Sequence, residues 1–234
     1  MFNQLQFAEP IAAAVLFGSQ SRGDAVAGSD VDIAVFADVN FVSELLAIKS
    51  ELARQCKPDS MINFSVYSTS TANTMARNGS LYLWHLKTEG RPLVDHGFLA
   101  PLFSGLSPYT KRKAIEDIET FAIVARDISE ALDSSADTHE FEAATTFSIL
   151  RSIGMMLAAL GGHFVFSRVG PVEYLKEEFG DRFPFDEADV CKLLRARLSY
   201  SGKSGDRMTL SADECRRSVS RLQALIEMTR EKLK

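Results

Sequence analysis

The pattern of apolar and polar positions changes period part-way along the chain. In the first hundred residues the apolar runs are short. Ile11 to Phe17 is continuously apolar and stops at Gly18, which predicts a buried strand. Val31 to Phe36 predicts a second strand, with alternation placing Asp32 on the face opposite Ile33 and Val35. Met61 to Tyr67, rich in β-branched and aromatic residues after the Lys57-Pro58-Asp59-Ser60 turn, predicts a third, and Pro92 to Asp95 a short fourth. Between them, Phe41 to Cys56 has helical spacing through Leu45, Leu46, Ile48 and Leu52, and Ser80 to Glu89 predicts a helix ended by Gly90.

From about Ser107 the period becomes 3.6. Ile115, Ile118, Ala122, Ala125, Ile128 and Leu132 form one stripe on a helix starting near Pro108. Residues 140–160 are apolar nearly all round, as suits the central helix of a bundle, and Gly161-Gly162 ends them. Further helices are predicted over 171–179, 186–199 and 211–232, with a polar loop at 201–207. The expected fold class is α+β: a small mixed-sheet domain over residues 1–104, then an α-helical bundle over 105–234.

Composition narrows the class. The 234 residues are 46% hydrophobic and 24% charged, which is ordinary for a globular chain with a real core. With 26 basic against 31 acidic residues, no broad basic field points to nucleic acid as an obligatory partner. Cys56, Cys191 and Cys215 are too far apart for a disulfide framework or a metal-ligand spacing, and fit a reducing cytoplasm. No secretory leader pattern opens the sequence, and residues 143–160 are interrupted by Thr145, Thr146, Ser148, Arg151 and Ser152. The expectation is a cytoplasmic protein with no membrane partner.

The chemistry concentrates in Gly18-Ser19-Gln20-Ser21-Arg22-Gly23-Asp24 and Gly28-Ser29-Asp30-Val31-Asp32. Gly18 follows a buried strand, so the chain can turn sharply and bring backbone N–H groups close to a phosphate. Ser19 adds a hydroxyl, and Arg22 offers a fork of donors suited to a triphosphate. Asp30 and Asp32, two apart at a strand start, project to one side. Taken alone they could be a turn aspartate and an exposed strand residue. With Gly18, Ser19 and Arg22 upstream they are read as oxygen ligands for Mg²⁺ held jointly with substrate phosphates.

Gly18-Ser19, then ten intervening residues and Asp30-x-Asp32, resembles the signature of the nucleotidyltransferase superfamily related to DNA polymerase β. Arg22-Gly23-Asp24 and Ser29 are similar to its bacterial minimal branch. The helical second half loosely resembles that of two-domain members of the kanamycin nucleotidyltransferase type. The resemblance implies transfer of a nucleoside monophosphate from an NTP to an acceptor, with release of pyrophosphate and two Mg²⁺ ions. By position, Gly18 and Ser19 would hold the β and γ phosphates, Arg22 the triphosphate, and Asp30 and Asp32 the metals. The acceptor is left open among a small molecule, a protein and an RNA end.

One departure matters. Where many members carry a third carboxylate on the next core strand, this chain has Asn63, and an amide is a poorer Mg²⁺ ligand and no base at neutral pH. Glu140 and Glu142, at the start of the apolar helix, are the candidates for a base from the helical half. Asn63 also supports an alternative reading, a catalytically impaired, antitoxin-like binding protein with a protein partner. A homodimer in which the bundle completes a neighbour's site is a further expectation beside a self-contained chain. Arg151 is expected to pair with an acid across the bundle or to face a cleft. The four histidines show no metal-binding spacing and are read as structural or surface residues.

Overall fold

The computed structural model describes residues 5–25, 29–57, 61–134, 139–202 and 210–234. The chain divides into two compact units, residues 1–109 and 110–234.

The first unit is built on a four-stranded mixed sheet, β1 (Ile11–Phe17), β2 (Val31–Ala37), β3 (Ile62–Ser68) and β4 (Arg91–Asp95). Their spatial order is β3-β2-β1-β4. β1 runs antiparallel to both β2 and β4, whereas β2 and β3 are parallel and joined through the helix α2 (Val42–Arg54). One face of the sheet packs Ile11, Ala14, Leu16, Val31, Ile33, Val35 and Phe64 against Leu52 of α2. The stripe expected on α2 is only partly used: Leu52 is buried and Ile48 packs against the same cluster, but Leu46 is 59% exposed.

The opposite face is covered by α3 (Thr69–Arg77), α4 (Leu81–Glu89) and α5 (Leu99–Ser104), which bury Ala72, Ala76, Leu83, Leu86, Leu99 and Leu102 against Ala13, Val15, Ala34 and Phe36. Two of these helices are absent from the hydrophobic pattern. The Thr- and Asn-rich sequence of α3 is a poor helix former. It is held by its N-cap, where Ser68 Oγ accepts from the Thr71 N–H at 3.0 Å, and by burial of Ala72 and Ala76 four residues apart. In α5, Pro101 falls in the first turn, where its missing N–H is not needed, while the Asp95 carboxylate accepts from the Phe98 and Leu99 N–H groups.

The second unit contains α6 (Lys111–Ser134), α7 (His139–Leu160), α8 (Gly170–Phe179), a 3₁₀ turn, α9 (Glu187–Tyr200) and α10 (Ala212–Lys232). The stripe on α6 is shifted by one position at its start: Ala114 is buried and Ile115 is 42% exposed, while Ile118, Ala125, Ile128 and Leu132 face inward as expected. By length and composition α7 could cross a membrane, yet 67% of its most apolar window is buried inside the protein, as for the core helix of a bundle. Arg151, on this helix, donates from Nη2 and Nε to the Phe166 and Ser167 carbonyls at 2.6 and 3.1 Å. Two of its donors are thus met by backbone carbonyls.

Candidate active site

β1 ends at Phe17, and Gly18 then takes φ 73° and ψ −154°, a conformation open to glycine and strained for other residues. The chain closes at once into a single helical turn, α1 (Ser19–Arg22), in which the Ser21 and Arg22 N–H groups bond the Gly18 carbonyl. The Gly23 and Asp24 N–H groups return to the Ser19 carbonyl at 3.0 and 3.2 Å. The absence of a side chain at Gly18 matters beyond its backbone angles. A Cβ placed there would lie 3.0 Å from Asp32 Oδ2, so the loop and the second strand's carboxylate are brought together.

The strand register completes the arrangement. Phe17 pairs with Asp32, and Asp32 pairs in turn with Asn63. The three residues therefore stand side by side on one face at one end of the sheet. Asn63 Nδ2 donates to Asp30 Oδ2 at 2.9 Å. Asp30, Asp32 and Asn63 thus form one polar cluster beside the Gly18–Arg22 turn. Its donors are two half-exposed carboxylates and an amide, the hard oxygen chemistry that suits Mg²⁺ when substrate phosphates and water complete its shell. Among the described residues, no group of three or more His, Cys, Asp and Glu side chains converges on a metal position.

Below the cluster the same face becomes aromatic. The Tyr82 and His85 rings meet Phe17 edge-on at 5.5 and 5.4 Å, and Tyr82 also packs on Tyr67 at 5.5 Å. The Tyr82 hydroxyl is buried without a hydrogen-bond partner among the described residues. Burial above all, then Tyr67 and the Asp32 charge, push its pKa far above the ordinary range, so it stays protonated.

Arg22 is half-buried and turned against the body of the unit. Its Nη1 donates to Glu89 Oε2 at 2.7 Å and its Nε to Asp24 Oδ2 at 3.2 Å. Burial works against its charge, but the bonds to Glu89 and Asp24 prevail and raise its pKa. The same Glu89 oxygen meets His85 Nε2 at 2.9 Å, and the Glu89 carbonyl accepts from Ser21 Oγ at 2.5 Å. Glu89 was not among the candidate residues, and His85 was read with the other histidines as structural or surface. A signal was there, because Glu89 closes α4 and a helix C-terminus disfavours an acid unless a cation answers it.

Of the candidate bases, Glu140 and Glu142 fall in the first turn of α7, in the second unit. Glu142 is 3% exposed, and one carboxylate oxygen of each residue is buried without a hydrogen-bond partner among the described residues. Asp59 and Gly28, and most of the polar loop at 201–207, lie outside the described residues.

Residues 3–81 match the model of the polymerase beta nucleotidyltransferase family. No curated protein matches the chain. Among solved structures, the chain superimposes on spectinomycin adenyltransferase from Enterococcus faecialis, determined with ATP and spectinomycin. The TM-score is 0.54 at 11% identity, covering 93% of this chain and 92% of that one. Residues 3–81 thus resemble a nucleotidyltransferase domain of the polymerase β kind, in a chain whose fold resembles that of an antibiotic adenyltransferase.

Proposed function

We propose that the protein is a Mg²⁺-dependent nucleotidyltransferase, moving a nucleoside monophosphate from an NTP to an acceptor with release of pyrophosphate. The observation that carries this reading is the approach of Gly18 to Asp32, so close that a Cβ on the glycine would lie 3.0 Å from the carboxylate, beside the Asp30–Asn63 pair. Gly18 and Ser19 hold the β and γ phosphates, with Arg22 one turn further along the same loop. Asp30 and Asp32 hold Mg²⁺, which supplies charge neutralisation on the triphosphate when bound. The acceptor hydroxyl oxygen bonds to the α-phosphorus as the bond from that phosphorus to the bridging oxygen breaks, and pyrophosphate leaves in line. Asn63 cannot take the acceptor's proton at neutral pH, so transfer needs another group as base. The spectinomycin enzyme's ATP and spectinomycin make ATP the first NTP to test, and a small hydroxyl-bearing molecule the first acceptor class.

A second reading has its own observation. Because the Asn63 amide donates to Asp30 Oδ2, that oxygen already has a protein donor, as in a site that binds nucleotide or partner without turning it over.

Calorimetry with each of the four NTPs, in Mg²⁺ and in chelator, tests the proposal. Binding should require Mg²⁺ and should vanish in a folded Asp30→Ala/Asp32→Ala variant, and pyrophosphate should appear once the acceptor is supplied. A well-folded wild type that binds no NTP rules the enzyme out. Mg²⁺-dependent binding with no pyrophosphate for any acceptor favours the second reading.

A further inference from the structure

The turn that carries Gly18 and Ser19 has only four helical residues, too few to be stable alone. Its outer half is tied down from outside. Ser21 Oγ donates to the Glu89 carbonyl at 2.5 Å, and Arg22 Nη1 to the Glu89 carboxylate at 2.7 Å. Both arms end on one residue, and the side chains of Arg22 and Glu89 are only 19% and 17% exposed. At that depth an ion pair is worth more than at the surface, and losing one partner is costly because the other charge is left behind. His85 Nε2 lies 2.9 Å from the same carboxylate oxygen and gives Glu89 a second side-chain partner.

Glu89 itself is held in place by the glycine after it. A Cβ on Gly90 would overlap the Leu86 carbonyl and lie 2.7 Å from Val15 Cγ1. Only glycine lets α4 end this close to β1, which sets the Glu89 carbonyl beneath Ser21.

From this geometry we infer that Glu89 is a positioning residue for nucleotide binding. It acts through Ser21 and Arg22 to hold the Gly18–Gly23 turn in the shape that receives the triphosphate, while Arg22 serves as the arm of this clasp. The inference rests on the nucleotidyltransferase reading of the site. It adds that the loop's shape is an interaction across the domain, not a property of the loop sequence.

Two measurements on the full chain test it. In hydrogen exchange, Glu89→Ala should speed exchange of residues 18–24 about tenfold while the strands keep their protection. In calorimetry, Arg22→Ala and Glu89→Ala should each weaken ATP–Mg²⁺ binding about 10–100-fold, as loss of outer-shell partners does elsewhere. The double variant should then lose no more than either single one. Glu89→Gln, which keeps an oxygen for Arg22, should recover part of both effects. The inference is overturned if Glu89→Ala leaves loop exchange and affinity unchanged, or if it loosens the whole unit. It is equally overturned if the two single losses add, because Arg22 would then meet the triphosphate directly. A wild type that binds no NTP fails the functional reading and removes the nucleotide role of Glu89 with it. Exchange alone would then still report whether the turn is clasped.

Discussion

The two faces of the sheet are made from alternate residues of the same three strands, and they differ along their length. On the α2 face, Leu16, Ile33 and Phe64 and their neighbours are apolar throughout. On the other face, Ala13, Phe36 and Tyr67 are followed by Val15, Ala34 and Ser65, and then by Phe17, Asp32 and Asn63. That face changes from largely apolar packing to the polar Asp32 and Asn63 beside Phe17 within three rows of residues. A period of two lets one strand serve stability and chemistry at once, without either intruding on the other. Asp32 and Ile33 are neighbours in sequence and belong to different tasks.

Substitutions on the two faces should therefore separate. The largest expected effect on folding comes from Ile33→Ala, which should cost about 2–5 kcal/mol in chemical denaturation while the folded fraction still binds Mg²⁺–ATP with wild-type affinity. Asp32→Ala should do the reverse, with a smaller loss of stability and transfer activity reduced about 10²–10³-fold. If the stability and binding losses travel together in both variants, the faces are not independent.

Next in size is Asn63→Asp, which sets a third carboxylate against Asp30 in place of an amide that donates to it at 2.9 Å. Without Mg²⁺ the variant should lose about 1 kcal/mol through like-charge repulsion, and added Mg²⁺ should restore the loss and bind more tightly. A rise in turnover would show that Asn63 limits the wild type. Unchanged turnover with tighter Mg²⁺ binding would place the base elsewhere.

The smallest effect is expected at the aromatic shelf. Tyr82→Phe removes a buried hydroxyl that has no hydrogen-bond partner among the described residues, so stability should hold or rise by about 1 kcal/mol. A clear loss of nucleotide affinity in this variant would extend the functional part of the face inward to Tyr82.

Much of this was legible before the structure. Strands with unbroken apolar runs or clear alternation, such as Ile11–Phe17, fall where the pattern puts them, because burial on both faces leaves the residue types little freedom. Helices α3 and α5 were not legible. In α3 only Ala72 and Ala76 are buried, and two alanines among threonines carry almost no periodic signal; in α5, Pro101 reads as a breaker until its first-turn position is known. At the candidate site, the spacing of Gly18, Asp30 and Asp32 could be read locally. The pairing of Asp32 with Asn63 needed the register between parallel strands. The ties from Ser21 and Arg22 to Glu89 needed the whole fold, since hydrogen bonds between residues so distant leave no spacing rule behind.

That distance has a consequence for how the protein comes into being. Ser21 and Arg22 precede Glu89 by 68 and 67 residues, and β1 gains its second neighbour only when β4 pairs Val94 with Ala14. A nascent chain that has grown through residue 81, the end of the segment matching the family model, carries three of the four strands, with β1 still an open edge. Contacts of such long separation form late, after the local ones that make them affordable in entropy. The earliest-made part of the candidate site thus gains its ties only once Glu89 has been made, and the segment that holds it extends at least to Asp95.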